Sequence, residues 1–446
     1  MDATLPAAPA TTADYAADRQ SHGGFWAECA ARLRRLPARP RRDAAAGAAA
    51  AAILAAARAA REGFLARHAA RLYDDLTDGG TRFVRLEDLV FAAADAVPGL
   101  APTKAEVAAE AALDQRDKDG VEIDQGILLA HVLAGERSGL HLCHAMLLPR
   151  PESAALAARF AADGRLDLGP ARLERRGRAV HLTAANPRFL NAEDETTLAL
   201  TEAVVDVAIL DPASDVAVLR GGPVTHPKHR DRRLFGAGIN LTHLYRGRIP
   251  FVWYLVRDLG YVHKILRGVA LPDALPDDVH GRAVEKPWIA AVDGFAIGGH
   301  CQLLLCMDYV LAAADAFLTL PARKEGIIPG LANLRLPRFT GDRLARQAIQ
   351  YERRLACDSP EGRLICDEIA PAAGMDAALE RAVAGLTSAG AVSAVANRRA
   401  FRVGQEPLDL FRRYCAVYAR DQAYCHFSPA LIANLERNWD AANRKT

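Results

Sequence analysis

The stretch "KPWIAAVDGFAIGGHCQLLL" at residues 286–305 constrains the fold more than any other part of the 446-residue chain. An apolar run of strand type leads into two adjacent glycines, Gly298 and Gly299, and then into a segment with helical spacing. The first N–H groups of a helix have no partner inside it, and glycines let a ligand approach the backbone closely. The pattern therefore predicts a strand–turn–helix unit that can bind a negatively charged oxygen, either of a phosphate or of an enolate. Its glycine spacing is not the GxGxxG of a dinucleotide site.

The composition is that of a globular protein of two or three domains, with 51% hydrophobic and 25% charged residues. A formal net charge of +2 argues against a general nucleic-acid binder. The eight cysteines form no CxxC pair, which favours reduced thiols in a cytoplasmic protein over a zinc site or a disulfide framework. The N-terminus lacks a signal-peptide pattern, and the alanine-rich run at 44–57 is too short to span a bilayer. We therefore expect no nucleic-acid or membrane partner, and we expect this run to be helical.

Three segments of the chain differ in pattern. Residues 1–175 are alanine-rich with helical periodicity, which predicts an all-helical domain for packing or assembly. Residues 176–380 alternate strand-type runs with helical stretches, which predicts an α/β domain with largely parallel strands. Residues 381–446 return to helix and are expected to serve assembly or to cover the active site. The strand-type runs are "RAVHLTAANP", "VVDVAILDP", "DVAVLRGG", "KPWIAAVDG" and "DYVLAA".

A second glycine-containing loop, "RRLFGAGINL" at 232–241, follows another strand-type run. With "NPRFLNAED", "GFAIGGHCQL", "EGIIPG" and "RLPRFTGDRLARQ", it resembles the crotonase (enoyl-CoA hydratase/isomerase) superfamily over roughly residues 180–375. The resemblance implies a ββα spiral core and a homo-oligomer, either a trimer or a hexamer. It also implies an oxyanion hole, formed by the N–H groups of Ile239 and Gly299, that holds the thioester carbonyl of an acyl-CoA. Arg233 and Lys228, in a basic loop, are expected to pair with the phosphates of coenzyme A.

The acid–base pair of the hydratases is missing from this chain. In those members of the superfamily two glutamates act as acid and base, whereas Gln302 and Ala322 stand at the corresponding positions here. Neither side chain exchanges a proton near neutral pH, so the usual two-carboxylate hydration of an enoyl-CoA is excluded. Glu325 lies nearby in sequence but three positions away from the motif.

The helical N-terminal extension, "NAED", "LFGAGINLTHL" and the loss of both acids resemble a dioxygenase branch of the superfamily. That branch acts in the biosynthesis of the 3,5-dihydroxyphenylglycine of glycopeptide antibiotics. The resemblance implies that 3,5-dihydroxyphenylacetyl-CoA and O2 are converted to 3,5-dihydroxyphenylglyoxylate and free CoA, without metal or organic cofactor. The sequence agrees, because it contains no flavin or nicotinamide fingerprint, and its HxD at 229–231 lies among basic residues that repel a cation.

Four polar residues are assigned to the site by the resemblance. Glu193, expected early in a helix, is a base, a ring-hydroxyl acceptor, or only an acid that stabilises the helix start. His226 donates to the substrate, orients Glu193, or has no role. Arg257 holds a ring hydroxyl or a carboxylate, or pairs with Asp258 at the surface. Gln302 hydrogen-bonds the substrate, an intermediate or another residue of the site.

Ile327 and Ile328 are candidates to line a small pocket for O2, or they belong to the ordinary core. Two other functions stay open. One is a crotonase-fold acyl-CoA hydrolase or isomerase that uses a different acid. The other is a non-catalytic acyl-CoA-binding assembly protein, which would bind its ligand without turnover.

Overall fold

The computed structural model describes residues 7–444. The chain divides into two compact units. The first comprises the chain up to residue 145 together with residues 245–252 and 411–433, and the second comprises residues 146–244, 253–410 and the chain from 434 onward.

These boundaries differ from the division into residues 1–175, 176–380 and 381–446 expected from the sequence. Residues 411–433 lie in the first unit because they pack closely on its earlier helices. Arg412 Nη1 donates to the carbonyl of Leu133 at 3.1 Å. A Cβ added at Gly126 would lie 2.5 Å from the Cβ of Ala423, so only glycine fits there. Such close contact between segments far apart in sequence leaves no local pattern for sequence analysis to detect.

The α-helices, numbered in chain order, are α1 Tyr15–Arg34, α2 Ala44–Leu76, α3 Leu86–Ala96, α4 Lys104–Ala111, α5 Ile123–Ala134, α6 Glu136–Leu147, α7 Ser153–Asp163, α8 Leu198–Leu210, α9 Leu241–Tyr245, α10 Val252–Leu259, α11 Tyr261–Arg267, α12 Gly299–Leu304, α13 Ala322–Glu325, α14 Ala332–Gln350, α15 Met375–Thr387, α16 Ala391–Gln405, α17 Leu408–His426 and α18 Pro429–Trp439.

The alanine-rich run predicted to be helical begins α2. Asp43 caps this helix, because its carboxylate accepts a hydrogen bond from Ala46 N at 2.8 Å. The helical periodicity expected here is confirmed, because Leu65, Leu72, Tyr73 and Leu76 fall on one face at helical spacing and are all buried. By length and composition alone α2 could cross a membrane, and within the first unit the same helix packs against α1 and α5.

The strands, also in chain order, are β1 Arg165–Asp167, β2 Ala171–Arg176, β3 Ala179–Ala184, β4 Val216–Gly221, β5 Val269–Ala270, β6 Ala283–Val284, β7 Trp288–Val292, β8 Phe295–Ile297, β9 Tyr309–Ala313, β10 Phe317–Thr319, β11 Leu355–Ala356 and β12 Glu368–Ala370.

The largest sheet has the strand order β1-β2-β3-β4-β7-β9-β12. Its last five strands run parallel, as the alternation of strands and helices predicts, while β1 and β2 form an antiparallel edge. Four of the predicted strand-type runs are confirmed as β3, β4, β7 and β9. The fifth, "VVDVAILDP", was assigned wrongly: it belongs to α8, where Ala203 to Ile209 are all buried. A helix buried on every side has the same continuous apolar run as a buried strand, so periodicity cannot separate the two.

Two consecutive strand–strand–helix units form the centre of the second unit, which is an α/β fold with the expected ββα core. In the first, β7 and β8 lead to α12, and in the second, β9 and β10 lead to α13. The first strands of both units lie in the large sheet. The second strands pair in parallel with each other in a smaller sheet, with Leu318 opposite Ala296. This arrangement places the Gly-Gly turn directly after β8, at the carboxyl end of a strand.

Candidate active site

The two glycine-containing loops lie against each other through isolated β-bridges. Gly236 pairs with Ala296 on β8, and Ile239 pairs with Glu193. In the second bridge Glu193 N donates to the carbonyl of Gly238 at 2.7 Å, and Asn240 N donates to the carbonyl of Glu193 at 2.8 Å. Both bonds use the neighbours of Ile239, so its own N–H remains unused by the bridge. Glu193 was expected early in a helix, but it lies in this bridge, five residues before α8 begins.

The N–H groups of Ile239 and Gly299, here called the oxyanion pair, have no hydrogen-bond acceptor within the described chain. Gly299 is the first residue of α12, where a helix leaves its N–H groups unsatisfied. A Cβ added at Gly238 would lie 3.2 Å from Gly299 N, which places the first loop directly beside the second. Gly238 and Gly298 have φ angles of +78° and +53°, which favour glycine.

Arg257, on α10, holds an ion pair with Glu193 next to the oxyanion pair. Arg257 Nη2 lies 2.9 Å from Glu193 Oε2, and the two side chains are 3% and 12% exposed, respectively. Arg257 Nε also donates to this carboxylate, at 3.0 Å. The hydroxyl of Tyr261 donates to Glu193 Oε1.

The remaining guanidinium donors bind three other groups. Nη1 donates to Asp258 Oδ1 at 2.9 Å and to Gln302 Oε1 at 3.1 Å, and Nη2 donates to the carbonyl of Gly299 at 2.8 Å. An arginine has five N–H donors, and all five are used here. Arg257 is therefore neither a surface residue nor a free donor for a substrate, but the centre of a network that includes Gln302.

The two carboxyl groups of the network, Glu193 and Asp258, have pKa values shifted in opposite directions. Burial raises the pKa of Glu193, but the positive charge of Arg257 opposes burial and, with the hydrogen bonds, holds this pKa below its ordinary value. Burial raises the pKa of Asp258 further than Arg257 lowers it. Glu193 is thus an ionised, paired carboxylate, which makes it a poor proton acceptor. The prediction that Glu193 accepts a hydrogen bond from a ring hydroxyl stays a prediction.

His300, the residue after Gly299, is a member of the site that the sequence reading missed. Its Nδ1 accepts a hydrogen bond from Gly238 N at 3.0 Å, one residue before Ile239. Burial is the main cause that lowers the pKa of His300 to about 4, so the ring is neutral and can accept this bond. A Cβ added at Gly236 would lie 2.2 Å from the ring. The glycine at 236 was the available signal: it leaves room for an aromatic ring as well as permitting a turn.

A cavity of about 670 Å³ opens at Ile239, one of the two residues of the oxyanion pair. Ile239, Ile297 and Pro321 form part of its wall, and Trp439 on α18 forms another part. Glu325, at the end of α13, also forms part of the wall. Ala322, at the start of that helix, is buried and is not among the residues of the wall.

The predicted residues of the basic loop divide between this cavity and the surface. His226 and Lys228 line the cavity. His226 Nδ1 accepts from Lys228 N at 3.4 Å, and no hydrogen bond joins His226 to Glu193 among the described residues, so the orienting role of His226 stays a prediction. Arg233 is exposed, its Nη1 donates to the carbonyl of Gly221 at 3.3 Å, and it does not line the cavity.

A second, smaller cavity of about 30 Å³ adjoins the Glu193 network. Most of its wall is apolar, and its polar residues are Asn186, Asn191, Glu193, Thr197, Thr201, Tyr261 and His300. Leu182, Val205, Leu219, Phe235, Ile265 and Leu303 supply the apolar part. Ile327 and Ile328, the residues proposed for an O2 pocket, are half-buried and line neither cavity.

Asp194, Glu195 and His243 are close enough together to hold a metal ion. Asp194 Oδ2 already accepts hydrogen bonds from Asn186 and Asn240, both at 2.9 Å. Its other oxygen accepts from Thr196. The buried carboxylate thus connects three backbone segments through hydrogen bonds, and this role accounts for its position.

The comparison with known proteins agrees with this geometry. Residues 279–409 match the family model described as Enoyl-CoA hydratase/isomerase. The chain is 50% identical to the (3,5-dihydroxyphenyl)acetyl-CoA 1,2-dioxygenase of Amycolatopsis orientalis, over 82% of this chain and 83% of that protein. The chain belongs to the crotonase superfamily, in the family of this dioxygenase.

Other crotonase relatives match only part of the chain. The Crotonyl-CoA hydratase of Syntrophomonas wolfei subsp. wolfei is 30% identical over 40% of this chain and 60% of that protein. A solved structure, an enoyl-CoA hydratase from Mycobacterium avium subsp. paratuberculosis, is 20% identical, with a TM-score of 0.49, over 60% of this chain and 98% of that one.

The substitution Arg257→Met tests whether the network depends on its central cation. It leaves Glu193 and Asp258 buried without their partner, and we expect the free energy of unfolding at neutral pH to fall by about 3 to 5 kcal/mol. Adding Glu193→Gln should recover part of this loss, because one uncompensated charge is removed. Denaturant titration measures both effects.

The loss should also depend on pH. Because the pKa of Glu193 is lowered in the folded protein, its pairing stabilises the fold above the unfolded-state pKa, and this stabilisation is lost as the pH falls through the folded-state value. The difference between the wild-type protein and Arg257→Met should therefore shrink in acid. Equal stability of the two proteins at neutral pH would contradict the role assigned to Arg257.

Proposed function

We propose that this protein is a dioxygenase that converts 3,5-dihydroxyphenylacetyl-CoA and O2 to 3,5-dihydroxyphenylglyoxylate and free CoA, without a metal or an organic cofactor. The relative that is 50% identical over most of both chains bears the name of this activity. The structural observation that carries the proposal is the oxyanion pair, two N–H groups that have no acceptor among the described residues, with a cavity of about 670 Å³ at Ile239. Such preorganised donors stabilise an enolate oxygen more than the carbonyl oxygen of the bound thioester.

The chemistry begins with the α-carbon of the substrate. Its proton is acidic because the enolate is stabilised by the aromatic ring and by the oxyanion pair together. The electron-rich enolate transfers an electron to O2, and the two radicals combine to a peroxide at the α-carbon. Attack of the peroxide on the thioester carbonyl expels CoA, and cleavage of the O–O bond gives the arylglyoxylate. Overall, the substrate loses both α-hydrogens as protons: one is released to solvent, and the other protonates the CoA thiolate to the thiol.

The absence of the two acid–base glutamates, replaced by Gln302 and Ala322, favours this reaction over the hydration of an enoyl-CoA. The amide of Gln302 accepts from Arg257, and Ala322 is buried with no polar group, so neither activates water. An acyl-CoA hydrolase or isomerase remains the second candidate function, since the oxyanion pair also serves those reactions. It differs from the first in needing no O2.

Incubation with 3,5-dihydroxyphenylacetyl-CoA under ¹⁸O2 in chelator-treated buffer is the decisive experiment. We expect one O2 consumed per CoA released, with both labelled atoms in the arylglyoxylate, and full activity after metal removal. Release of CoA at the same rate without O2 would identify a hydrolase instead. Loss of turnover with the removal of one bound metal per chain would contradict the cofactor-independent mechanism.

The oxyanion role of Gly299 is tested by a matched pair of variants. A Cβ at this position lies 2.7 Å from Glu193 Oε2, so any substitution disturbs the ion pair as well as the ligand site. Gly299→Ala and Gly299→Pro share this disturbance, but only proline removes the N–H, and proline is tolerated at the first position of a helix. We expect turnover by Gly299→Pro to be a further 10²- to 10³-fold below that of Gly299→Ala, a difference of about 3 to 4 kcal/mol in the barrier.

Circular dichroism must first establish that both variants are folded. Equal rates of oxygen consumption in the two folded variants would remove the Gly299 N–H from the mechanism.

The smaller cavity is where we place O2, because most of its wall is apolar and it adjoins the Glu193 network. Ile327 and Ile328 line neither cavity, so they do not support the pocket expected from the sequence. Apolar cavities of this kind bind xenon. We expect crystals under xenon pressure to contain xenon between Val205 and Leu303, and crystals with xenon at other sites only would count against this placement.

The cysteines bear on the cellular compartment, and the exposed apolar residues of one helix bear on the oligomeric state. No disulfide joins any of the eight cysteines in the described part of the chain, as suits a cytoplasmic protein. Val392, Phe401 and Val403 are exposed on α16, which supports a homo-oligomer, a trimer or a hexamer. Sedimentation of the purified protein as a monomer at micromolar concentration would argue against the oligomer.

A further inference from the structure

The proposed reaction needs a proton acceptor that neither the Arg257 network nor positions 302 and 322 supply. Gln302 and Ala322 replace both carboxylates of the hydratases. Glu193 is ionised, but its two oxygens accept from Arg257 and Tyr261, and its lowered pKa makes it a weak base. A base must still remove the α-proton, because the enolate does not form without it.

Glu325 is an acidic residue that lines the large cavity and has no hydrogen-bond partner for its carboxylate among the described residues. It is the last residue of α13, three positions after Ala322, and residues at this spacing lie on the same side of a helix. Its residue surface is only 6% exposed, yet it forms part of the wall of the large cavity together with Ile239 and Ile297. No hydrogen bond or ion pair binds its carboxylate within the described part of the chain.

A buried carboxyl group without a hydrogen-bond donor is costly to fold, and such groups concentrate at functional sites. The other buried acids of the second unit have compensating partners. Asp258 pairs with Arg257, and Glu406 pairs with Arg335 at 2.8 Å. Glu325 differs from both because it lines a cavity that a substrate can fill.

We propose that Glu325 is the general base that removes the α-proton of the acyl-CoA, having taken over, one helical turn later, the role of the acid lost at position 322. This inference rests on the proposed function, because it assigns a residue to the first step of that reaction. In this step the α-C–H bond breaks, its electron pair moves to the enolate oxygen at the oxyanion pair, and the proton forms an O–H bond with Glu325. The proton later passes to the expelled CoA thiolate, which restores the carboxylate.

The charges around Glu325 suit this role. Burial and, after it, the negative charge of Glu352 raise the pKa of Glu325 to about 7, against a smaller effect of Lys324. A base with a pKa near the working pH combines a useful population of the ionised form with a useful driving force for proton transfer. The other charged or titratable residues of the cavity wall are Arg188, His226, Lys228, His229 and Arg444.

Exchange of the α-protons for deuterium in D2O without O2 isolates this step from the reaction with O2. We expect the wild-type protein to catalyse the exchange in 3,5-dihydroxyphenylacetyl-CoA, as followed by mass spectrometry against a blank without protein. Glu325→Gln, which keeps the size of the side chain, should slow the exchange and the O2 uptake alike by at least about 10²-fold. Calorimetry without O2 should show substrate affinity within a few-fold of wild type, which separates loss of the base from loss of the fold. Glu325→Asp should restore part of the exchange.

Glu352→Gln provides the matched control, because it removes a neighbouring charge without changing the base itself. Wild-type exchange should rise with pH through the pKa of Glu325, since the carboxylate is the active form. In Glu352→Gln the midpoint should move to lower pH while the plateau at high pH is kept.

Exchange by Glu325→Gln at the wild-type rate would overturn the assignment of Glu325, whatever the O2 uptake. An unchanged midpoint in Glu352→Gln would also count against it. Wild-type exchange that depends on Glu325, without any O2 uptake, would retain Glu325 as the base and reject the dioxygenase reaction instead.

Discussion

The buried guanidinium of Arg257 is the interaction on which the rest of the site depends. Its five donors bind Glu193, Asp258, Gln302 and the carbonyl of Gly299. Through Glu193 it fixes the segment that bridges to Ile239, and through Gly299 it fixes the start of α12. The two N–H groups of the oxyanion pair thus belong to segments that one cation connects. An oxyanion hole acts through donors that are already in place before the charge develops, so this rigid connection is part of catalysis as well as of stability.

Small residues and a neutral histidine complete the same arrangement. His300 accepts the N–H of Gly238, which orients the first loop from the side of the second. The ring fits only because Gly236 has no Cβ. A charged imidazolium could not accept this hydrogen bond, and burial prevents that charge by lowering the pKa of the ring to about 4. Burial therefore keeps the His300 ring neutral and thereby preserves its hydrogen bond with Gly238.

The parts of this site that were predictable from the sequence are those determined by the local backbone. The strand, the Gly-Gly turn and the helix start were predictable because each depends on a few consecutive residues, and the ordered motifs then pointed to Ile239 and Gly299. The bridge at Glu193 was missed, since it forms between segments about 45 residues apart. Arg257 was recognised as important, but its saturation by protein partners depends on Glu193, Gly299 and Gln302, three groups distant in sequence. The role of His300 was hidden for the same reason.

The charge balance around Arg257 also explains why residue 302 is a glutamine. Two carboxylates, Glu193 and Asp258, already share the single positive charge of Arg257, and the pKa of Asp258 is raised in spite of it. A glutamate at 302 would bring a third carboxylate to the same guanidinium, at the position where Gln302 Oε1 now accepts from Nη1 at 3.1 Å. Like charges this close cannot all stay ionised, so one of the three would be forced to take up a proton. Glutamine supplies the acceptor oxygen without the charge. The ionised Glu193 and the acid–base glutamate of the hydratases are therefore alternatives at this site. A proton acceptor has to lie outside the network, where Glu325 lines the cavity.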